Sequence, residues 1–321
     1  LVRVTPSQLK AYAAIVRLGS AKAAAQELGV SEAAISSHAS ALRKEFDDVL
    51  YRRQGKRLAF TPGGLRLATR AVELLGLQDQ TLREVSAAAS GQRLLRLAVT
   101  SLFAEYAAPG LLELFKTRAD DLAVEMSVHG GDRLAGLLTS RQADVVVGPQ
   151  GLAAAPGART KEFLRYEMLA VVGPRHRLAG RRCKPAQASS EPWLLGPSAI
   201  EPHGATGALL RRFRIPEDQQ RIFQSHAAAL AEVEAGAGVG LVPKFRVKAA
   251  LDDGRLHELS TAGAAASGLW SASTLPALQS PAVASELLRF ITTPRATQAM
   301  LTGSGANIGH FRPSVHVTLW S

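Results

Sequence analysis

Cysteine is almost missing from this chain: Cys183 stands alone among 321 residues. One thiol cannot form an intrachain disulfide. That excludes a disulfide-stapled scaffold and a two-cysteine redox sensor, and it fits a reducing cytoplasm. Long apolar runs are missing too. None approaches the roughly 20 residues needed to span a bilayer, so no membrane partner is expected. The first residues have neither the basic n-region nor the apolar h-region of a signal peptide, which again points to the cytoplasm. Catalytic signatures are equally scarce. There is no Walker loop, no dinucleotide fingerprint, no His-Glu-x-x-His and no Gly-x-Ser-x-Gly. The 8 histidines are scattered without metal-ligand spacing, so neither a metal nor a cofactor is expected. Gly236-Ala-Gly-Val-Gly240 is glycine-rich but follows a helix and opens a strand. That order suits packing rather than phosphate binding. No internal repeat or low-complexity tract is evident.

Acidic residues are outnumbered. With 38 Lys and Arg against 27 Asp and Glu the net charge is +11, and the isoelectric point is near 10.3. Such a balance suits a polyanion or an anionic surface, though a generic basic protein has it as well. Apolar residues make up 46% of the chain, enough for a packed fold with room for up to three modest domains.

The stretch from Thr5 to Thr61 carries the clearest signals. Thr5 is placed as an N-cap with Pro6 at the first helical position and Gln8 closing a capping box. Val4 and Leu9 are spaced for a hydrophobic staple, and Leu9, Tyr12, Ala13 and Val16 share a face. Gly19 ends this helix. Ser20 caps a second, with Ala21, Ala24, Ala25 and Leu28 inward, and Gly29 suits the sharp turn that follows. Ser31 caps a third helix on which Ile35, Ala39, Leu42 and Phe46 point one way. Ala33, Ser36, Ser37, Ser40 and Lys44 point the other way, with Arg43 beside them. A face that is small at its start and basic at its end can approach base edges and meet phosphate.

Leu50 to Phe60 reads as two short strands around Gln54-Gly55, a β-wing carrying Arg52, Arg53, Lys56 and Arg57. From Arg43 to Arg70 eight basic residues face three acidic ones, Glu45, Asp47 and Asp48. A solvated charged hairpin is the plain alternative to phosphate contact. Thr61-Pro62 opens a long helix running to about Ala89, roughly 40 Å at ~1.5 Å per residue. Leu65, Ala68, Val72, Leu75 and Leu82 keep near-heptad spacing, which suits pairing with a second helix or burial in a larger core. Ser90-Gly91-Gln92 is a hinge.

Beyond the hinge, strands and helices alternate. Strands are expected at Leu95 to Val99, Leu122 to Val128 and Ala143 to Gly148, with helices from Phe103 to Lys116 and Asp132 to Ser140. This β-α-β-α-β order implies a mainly parallel sheet. A second set follows. It holds a strand at Met168 to Gly173, a loop from Gly196 to Gly204, helices at Gly207 to Arg214 and Ala227 to Ala235, and a strand at Gly238 to Pro243. Two such α/β lobes joined by crossover strands form a clamshell, with the small-residue loop Ala262 to Gly268 as one crossing point.

These residues resemble the LysR-type transcriptional regulators over nearly the full chain. The carriers are Leu9 through Val16, Ser20 through Leu28, Ser31 through Ser36, Phe60-Thr-Pro-Gly-Gly64, Gln142-Ala-Asp144 and Gly238 through Pro243. The resemblance implies an N-terminal all-α winged helix-turn-helix plus linker helix. It also implies a C-terminal α/β two-lobed effector domain like that of periplasmic binding proteins. With it come promoter DNA, a small-molecule effector in the cleft, homodimers or dimers of dimers, RNA polymerase as a further partner, and repression of the protein's own gene. Glu32 departs from the family pattern, where Gln is frequent, as do Ser37 and His38, where Arg or Gln is frequent. Operator preference therefore stays open.

The resulting organisation is 1–61 for DNA binding, 62–91 for the linker helix and hinge, 92–301 for the effector domain and 302–321 for a tail. Lobe I covers about 92–165 and 269–301, and lobe II about 166–268. The tail alternates at Val315, Val317 and Leu319 like an added strand. Ser31, Glu32, Ala33, Ser36, Ser37 and His38 are expected near bases, and Arg43, Arg52, Arg53, Lys56, Arg57 and Thr61 near backbone phosphate. Ser31 also serves as a cap, and His38 packs against the first helix as readily as it touches DNA. Thr100, Ser101, His129, Pro149, Pro202, His203 and Ser225 are expected at the cleft, each with a structural alternative. Thr100 and Ser101 lie where a strand turns into a helix, whose amides favour an anionic effector. A ligand-responsive regulator leads this reading. The alternatives are a solute-binding or sensor module, and an α/β transferase with an appended helical domain.

Overall fold

Capping residues set the start of the N-terminal unit. The computed structural model describes residues 4–54, 57–152, 155–201 and 203–303. They divide into two units, one of residues 1–89 with 139–142 and the other of the remainder. In the first, α1 (Pro6–Leu18) begins at Thr5, whose side chain and that of Gln8 form the reciprocal capping box. Ser20 and Ser31 cap α2 (Ala21–Leu28) and α3 (Glu32–Phe46) in the same way, each accepting a first-turn amide. Each cap contributes about 1 kcal/mol. Gly29, at φ 63°, makes the turn between α2 and α3.

The three helices close on a core of small residues: Ala11, Ala14, Ile15, Ala24, Ala25, Ile35 and Ala39. The inner face of α1 is thus Leu9, Ala11, Tyr12, Ala14 and Ile15, while Ala13 and Val16 are only half-buried. Phe46, expected inside, is exposed, because α3 ends there with Asp47 in the left-handed region. The wing forms as read, with β1 (Tyr51–Gln54) antiparallel to β2 (Arg57–Phe60).

Leu50 enters that wing buried and at φ 61°, a conformation costly for a leucine. Hydrogen bonds hold it there. Its amide donates to Asp48 Oδ1 at 2.7 Å, and its carbonyl accepts from the Thr61 amide at 3.0 Å and the Tyr12 hydroxyl at 3.4 Å. The helix α4 (Pro62–Ser90) starts directly behind. A Cβ on Gly64 would run into the Leu50 carbonyl and the Tyr12 hydroxyl. Gly64→Ala is therefore expected to destabilise this unit by about 1–3 kcal/mol, read as an earlier thermal transition by circular dichroism.

The seam read on α4, suited to pairing with a second helix or to burial in a larger core, is mostly exposed in the single chain. Ala68 is buried, but Leu65, Val72 and Leu82 are exposed, joined by Leu74, Leu77 and Val85, which the heptad reading left out.

The second unit is built on one hydrogen-bonded sheet. Its first half comprises β3 (Arg93–Val99), α5 (Ser101–Tyr106), α6 (Ala108–Lys116), β4 (Leu122–Val128), α7 (Gly131–Thr139) and β5 (Val145–Pro149). A long strand β6 (Arg159–Val172) then leads to α8 (Pro185–Ser189), β7 (Trp193–Leu195), α9 (Ala205–Phe213) and β8 (Gln220–Ile222). After these come α10 (His226–Glu234), β9 (Val239–Pro243), α11 (Lys244–Asp252) and β10 (His257–Glu258). The last elements are β11 (Ala265–Thr274), α12 (Ala282–Phe290) and α13 (Pro294–Thr302). Strand order is β4-β3-β5-β11-β6-β9-β7-β8. Parallel β4-β3-β5 makes one lobe and parallel β9-β7-β8 the other, joined by the antiparallel pair β11-β6.

Two expectations fail here for physical reasons. The helix expected from Phe103 to Lys116 breaks at Ala107, because Pro109 sits in the first turn of α6 and cannot continue α5. The segment Ala262 to Gly268, read as a loop, instead feeds β11, whose residues alternate in burial along their pairing with β6. Trp193 and Trp270 anchor the core, both fully buried. Each removes roughly 150–250 Å² from water, on the order of 4–6 kcal/mol at about 25 cal/mol per Å². The glycine cluster packs as read, since a Cβ on Gly238 would strike the Pro192 carbonyl and one on Gly240 the Val233 side chain. The tail strand expected after His310 lies outside the described residues.

Candidate functional site

On α3 the buried stripe Ile35, Ala39 and Leu42 fixes which face turns to water. Glu32, Ala33, Ser36, Ser37 and Ser40 are all exposed, and His38 is half-buried. Ser31 is exposed and also accepts the Ala34 amide, so it caps while its position stays open. Arg52 and Arg53 on β1 are exposed. Lys56 and the side chain of Arg57 lie outside the described residues.

Two expected backbone contacts are corrected. Arg43 turns inward: its guanidinium donates to the Tyr51 carbonyl at 3.1 Å and lies 4.2 Å from the Tyr51 ring centroid. That cation–π contact holds the wing against α3. Thr61 is also occupied, donating to Asp48 Oδ1 at 3.0 Å and accepting the Gly64 amide at 2.9 Å.

In the second unit, a cleft opens at the C-terminal ends of β3 and β5, where open α/β sheets place their ligands. Thr100 and Pro149 line it from one lobe, and Ser198, Glu201, His203, Ala205 and Thr206 from the other, over a floor of Tyr166 and Trp270. Those two rings stack with centroids 4.2 Å apart. The free volume is about 10 Å³, near that of one water. A roomier hollow of about 160 Å³ also borders β5, walled by Leu134, Leu138, Val146 and Leu152. Two polar pairs close part of its rim, Gln150 with Glu162 and Thr160 with Ser273. The cleft lies at the C-terminal ends of the parallel strands and is the better candidate.

A buried line of hydrogen bonds backs the cleft. Glu105 on α5 meets His226 Nδ1 at 2.8 Å, His226 Nε2 meets the Ser198 hydroxyl at 2.9 Å, and Ser198 meets Thr206 at 3.2 Å. Glu105 also accepts the His226 and Ala227 amides, at 2.9 and 3.1 Å, and so caps α10 from the other lobe. Burial pushes the Glu105 pKa up, but His226 and these amides outweigh it and hold the carboxyl below the ordinary glutamate range. The Glu201 carboxyl, desolvated and facing Asp132, is pushed up to about 7.

Of the expected cleft residues, Thr100, Pro149 and His203 meet there. His129 and Ser225 do not. His129 bonds Ser127 at 3.0 Å on β4, its pKa lowered by burial and then by Arg133. Ser225 accepts the Ala228 amide as the N-cap of α10. Ser101 lies beside the cleft with its hydroxyl buried and without a hydrogen-bond partner among the described residues. Pro202 falls outside the described residues.

Residues 6–65 match the family model for the bacterial regulatory helix-turn-helix protein, lysR family, and residues 88–293 that for the LysR substrate binding domain. The chain is a LysR-type transcriptional regulator. An HTH-type transcriptional regulator of Mycobacterium tuberculosis (strain ATCC 25618 / H37Rv) is 52% identical over 322 aligned residues, covering 99% of this chain and 100% of that one. The RuBisCO operon transcriptional regulator of Allochromatium vinosum is 26% identical over 274 residues, covering 82% and 87%. Among solved structures, ArgP from Mycobacterium tuberculosis has the same fold. It superposes with a TM-score of 0.59 at 22% identity, over 89% of this chain and 97% of that one.

As a LysR-type regulator the protein carries a helix-turn-helix for DNA and a separate effector-binding domain. Its relatives are regulators rather than enzymes, which removes the transferase reading. Among the described residues no helix is long and apolar enough to cross a membrane. Sequence reasoning missed Ser198, Glu201, Thr206, Tyr166 and Trp270 at the cleft. The run Gly196 to Gly204 was recognised as a loop, and its polar residues Ser198 and Glu201 were the available signal.

Proposed function

We propose that this regulator reads promoter DNA with the outer face of α3 in the major groove and grips the flanking phosphates with the wing. Ser36 and Ser37 lie near bases, with Ser31, Glu32, Ala33 and His38 around them; Arg52 and Arg53, with Lys56 and Arg57, meet the backbone. The observation that carries this reading is the exposure of Ser36, Ser37 and Ser40 on one face of α3, in the same unit as the solvent-facing Arg52 and Arg53. Small side chains permit close approach, and guanidinium groups displace counterions from phosphate. The exposed stripe Leu74, Leu77, Leu82 and Val85 on α4 is covered by the same helix of a second copy, giving a homodimer that pairs into a tetramer. A small molecule entering the cleft shifts how the lobes close and hence how the assembly holds DNA. The complex works in the cytoplasm, alongside RNA polymerase.

Binding to the gene's own upstream DNA, titrated with salt against random duplex, tests the reading. Upstream DNA is expected to win by at least about a thousandfold. Equal affinity for both would refute it. Arg52→Ala is expected to flatten the slope of log affinity against log salt by about one unit, measured by fluorescence anisotropy.

A further inference from the structure

We infer that Glu32 selects cytosine. Its carboxylate accepts the N4 amino group of one C·G pair in the major groove, and that pair is the most strictly read position of the operator. This rests on α3 lying in the groove, as proposed above, and it names the base that the helix asks for.

The chemistry of the exposed residues of α3 carries the inference. Recognition helices turn their N-terminal residues toward the bases, and Glu32 is the first residue of α3. It is exposed, as are Ala33, Ser36, Ser37 and Ser40. A serine hydroxyl both donates and accepts, so Ser36, Ser37 and Ser40 tolerate any base edge. Ala33 offers only a methyl group. An arginine would read guanine through O6 and N7, but the one arginine of α3, Arg43, is spent elsewhere. It donates to the Tyr51 carbonyl at 3.1 Å and lies 4.2 Å from the Tyr51 ring centroid. Glu32 is thus the one exposed side chain in the first two turns whose hydrogen-bond sign is fixed, because a carboxylate only accepts.

That sign picks the base. In the major groove guanine presents N7 and O6 and thymine presents O4, all acceptors that repel a carboxylate. Adenine presents the N6 amino group, but its N7 acceptor lies beside it and faces the second carboxylate oxygen. Cytosine presents the N4 amino group with only a carbon-bound hydrogen alongside. A carboxylate brought among phosphates is repelled, and a wrong base leaves that repulsion unanswered. The neutral amide of a glutamine at this position would accept from N6 and donate to N7, and so would take adenine instead.

The full-length protein selects from a library of randomised duplexes, and the bound duplexes are sequenced. The selected sites are expected to share a cytosine at one fixed position. Changing that base to adenine, guanine or thymine is expected to weaken binding about tenfold or more in fluorescence anisotropy. Glu32→Gln is expected to move the preference at that pair from cytosine to adenine and to leave the rest of the consensus in place. Glu32→Ala is expected to leave the four bases there within about threefold of one another, and it keeps the test valid if Glu32→Gln misfolds. A charge in the first turn also favours the helix dipole, but losing that contribution cannot exchange one base for another, so the switch separates base reading from a structural role. The same base preference in wild type and both variants overturns the inference. Adenine, guanine or thymine in the wild-type consensus at the pair that the variants change also overturns it. The groove reading fails separately. If Ser36→Glu selects the same sites as wild type, or wild type selects no consensus, α3 is not the reader and both fall. If Ser36→Glu selects no site while the Glu32 variants keep the wild-type consensus, only the assignment of cytosine to Glu32 falls.

Discussion

Ser36→Glu is expected to abolish recognition of the operator while leaving the protein folded. Ser36 is exposed on α3, one residue from the buried Ile35 and three from the buried Ala39, so the helix cannot rotate to hide a new side chain. Glutamate is at least as good a helix former as serine, so the unit keeps its stability to within about 0.5 kcal/mol. The effect falls on the complex. A carboxylate there is brought among phosphates, and at least one base edge loses its close approach. Affinity for the operator is expected to fall by at least about a thousandfold, to the level of random duplex. Ser36→Ala, which keeps the shape and loses only a hydroxyl, is expected to cost about tenfold or less. Anisotropy with labelled operator separates the two, and circular dichroism melts check the fold. Undiminished operator affinity in Ser36→Glu would show that α3 does not lie in the groove.

What could be read from the sequence was local. The caps Thr5, Ser20 and Ser31 act within three residues of themselves, Gly29 acts alone, and the wing is set by a four-residue register. The strand-helix alternation of the second unit was legible for the same reason. Errors arose where a distant partner decided. Arg43 looked like a phosphate ligand because it follows a basic trend, yet Tyr51 draws it inward. Thr61 looked free until Asp48, 13 residues away, accepted its hydroxyl. The run before Gly268 has small residues of low strand propensity, and it is a strand because β6 pairs with it from Leu169 onward. The cleft was hardest to see. Its polar line joins Glu105 to His226, 121 residues apart, and no motif announces that contact. Glu201 carried no signal beyond its place in a loop, since what distinguishes it is its burial beside the Asp132 carboxylate of another element.

Asp144→Ala is expected to produce the largest loss of stability in the second unit. Asp144 came into view only as part of Gln142-Ala-Asp144, a segment shared with the family, and the structure gives it a mechanical role. Its carboxylate accepts the Arg96 backbone amide at 2.8 Å and Arg96 Nε at 3.2 Å, and it also pairs with the guanidinium terminus. Its own carbonyl accepts the Thr274 hydroxyl at 2.8 Å. One residue therefore ties the middle of β3 to the entry of β5 and the end of β11, strands that lie side by side in the sheet. The two side chains are only 11% and 3% exposed, so solvent cannot replace the bond. Removing one partner of such a buried pair costs about 3–5 kcal/mol, chiefly because the remaining charge stays desolvated. At about 2–4 °C per kcal/mol for a unit of this size, the transition is expected to fall by roughly 6–20 °C in calorimetry. Asp144→Asn keeps the shape and an acceptor for the Arg96 amide, so a smaller loss is expected. Arg96→Met in the Asp144→Ala background removes the stranded charge, and the double variant is expected to recover much of the loss. If Asp144→Ala melted within 2 °C of the parent, the Arg96–Asp144 tie would not hold this sheet together.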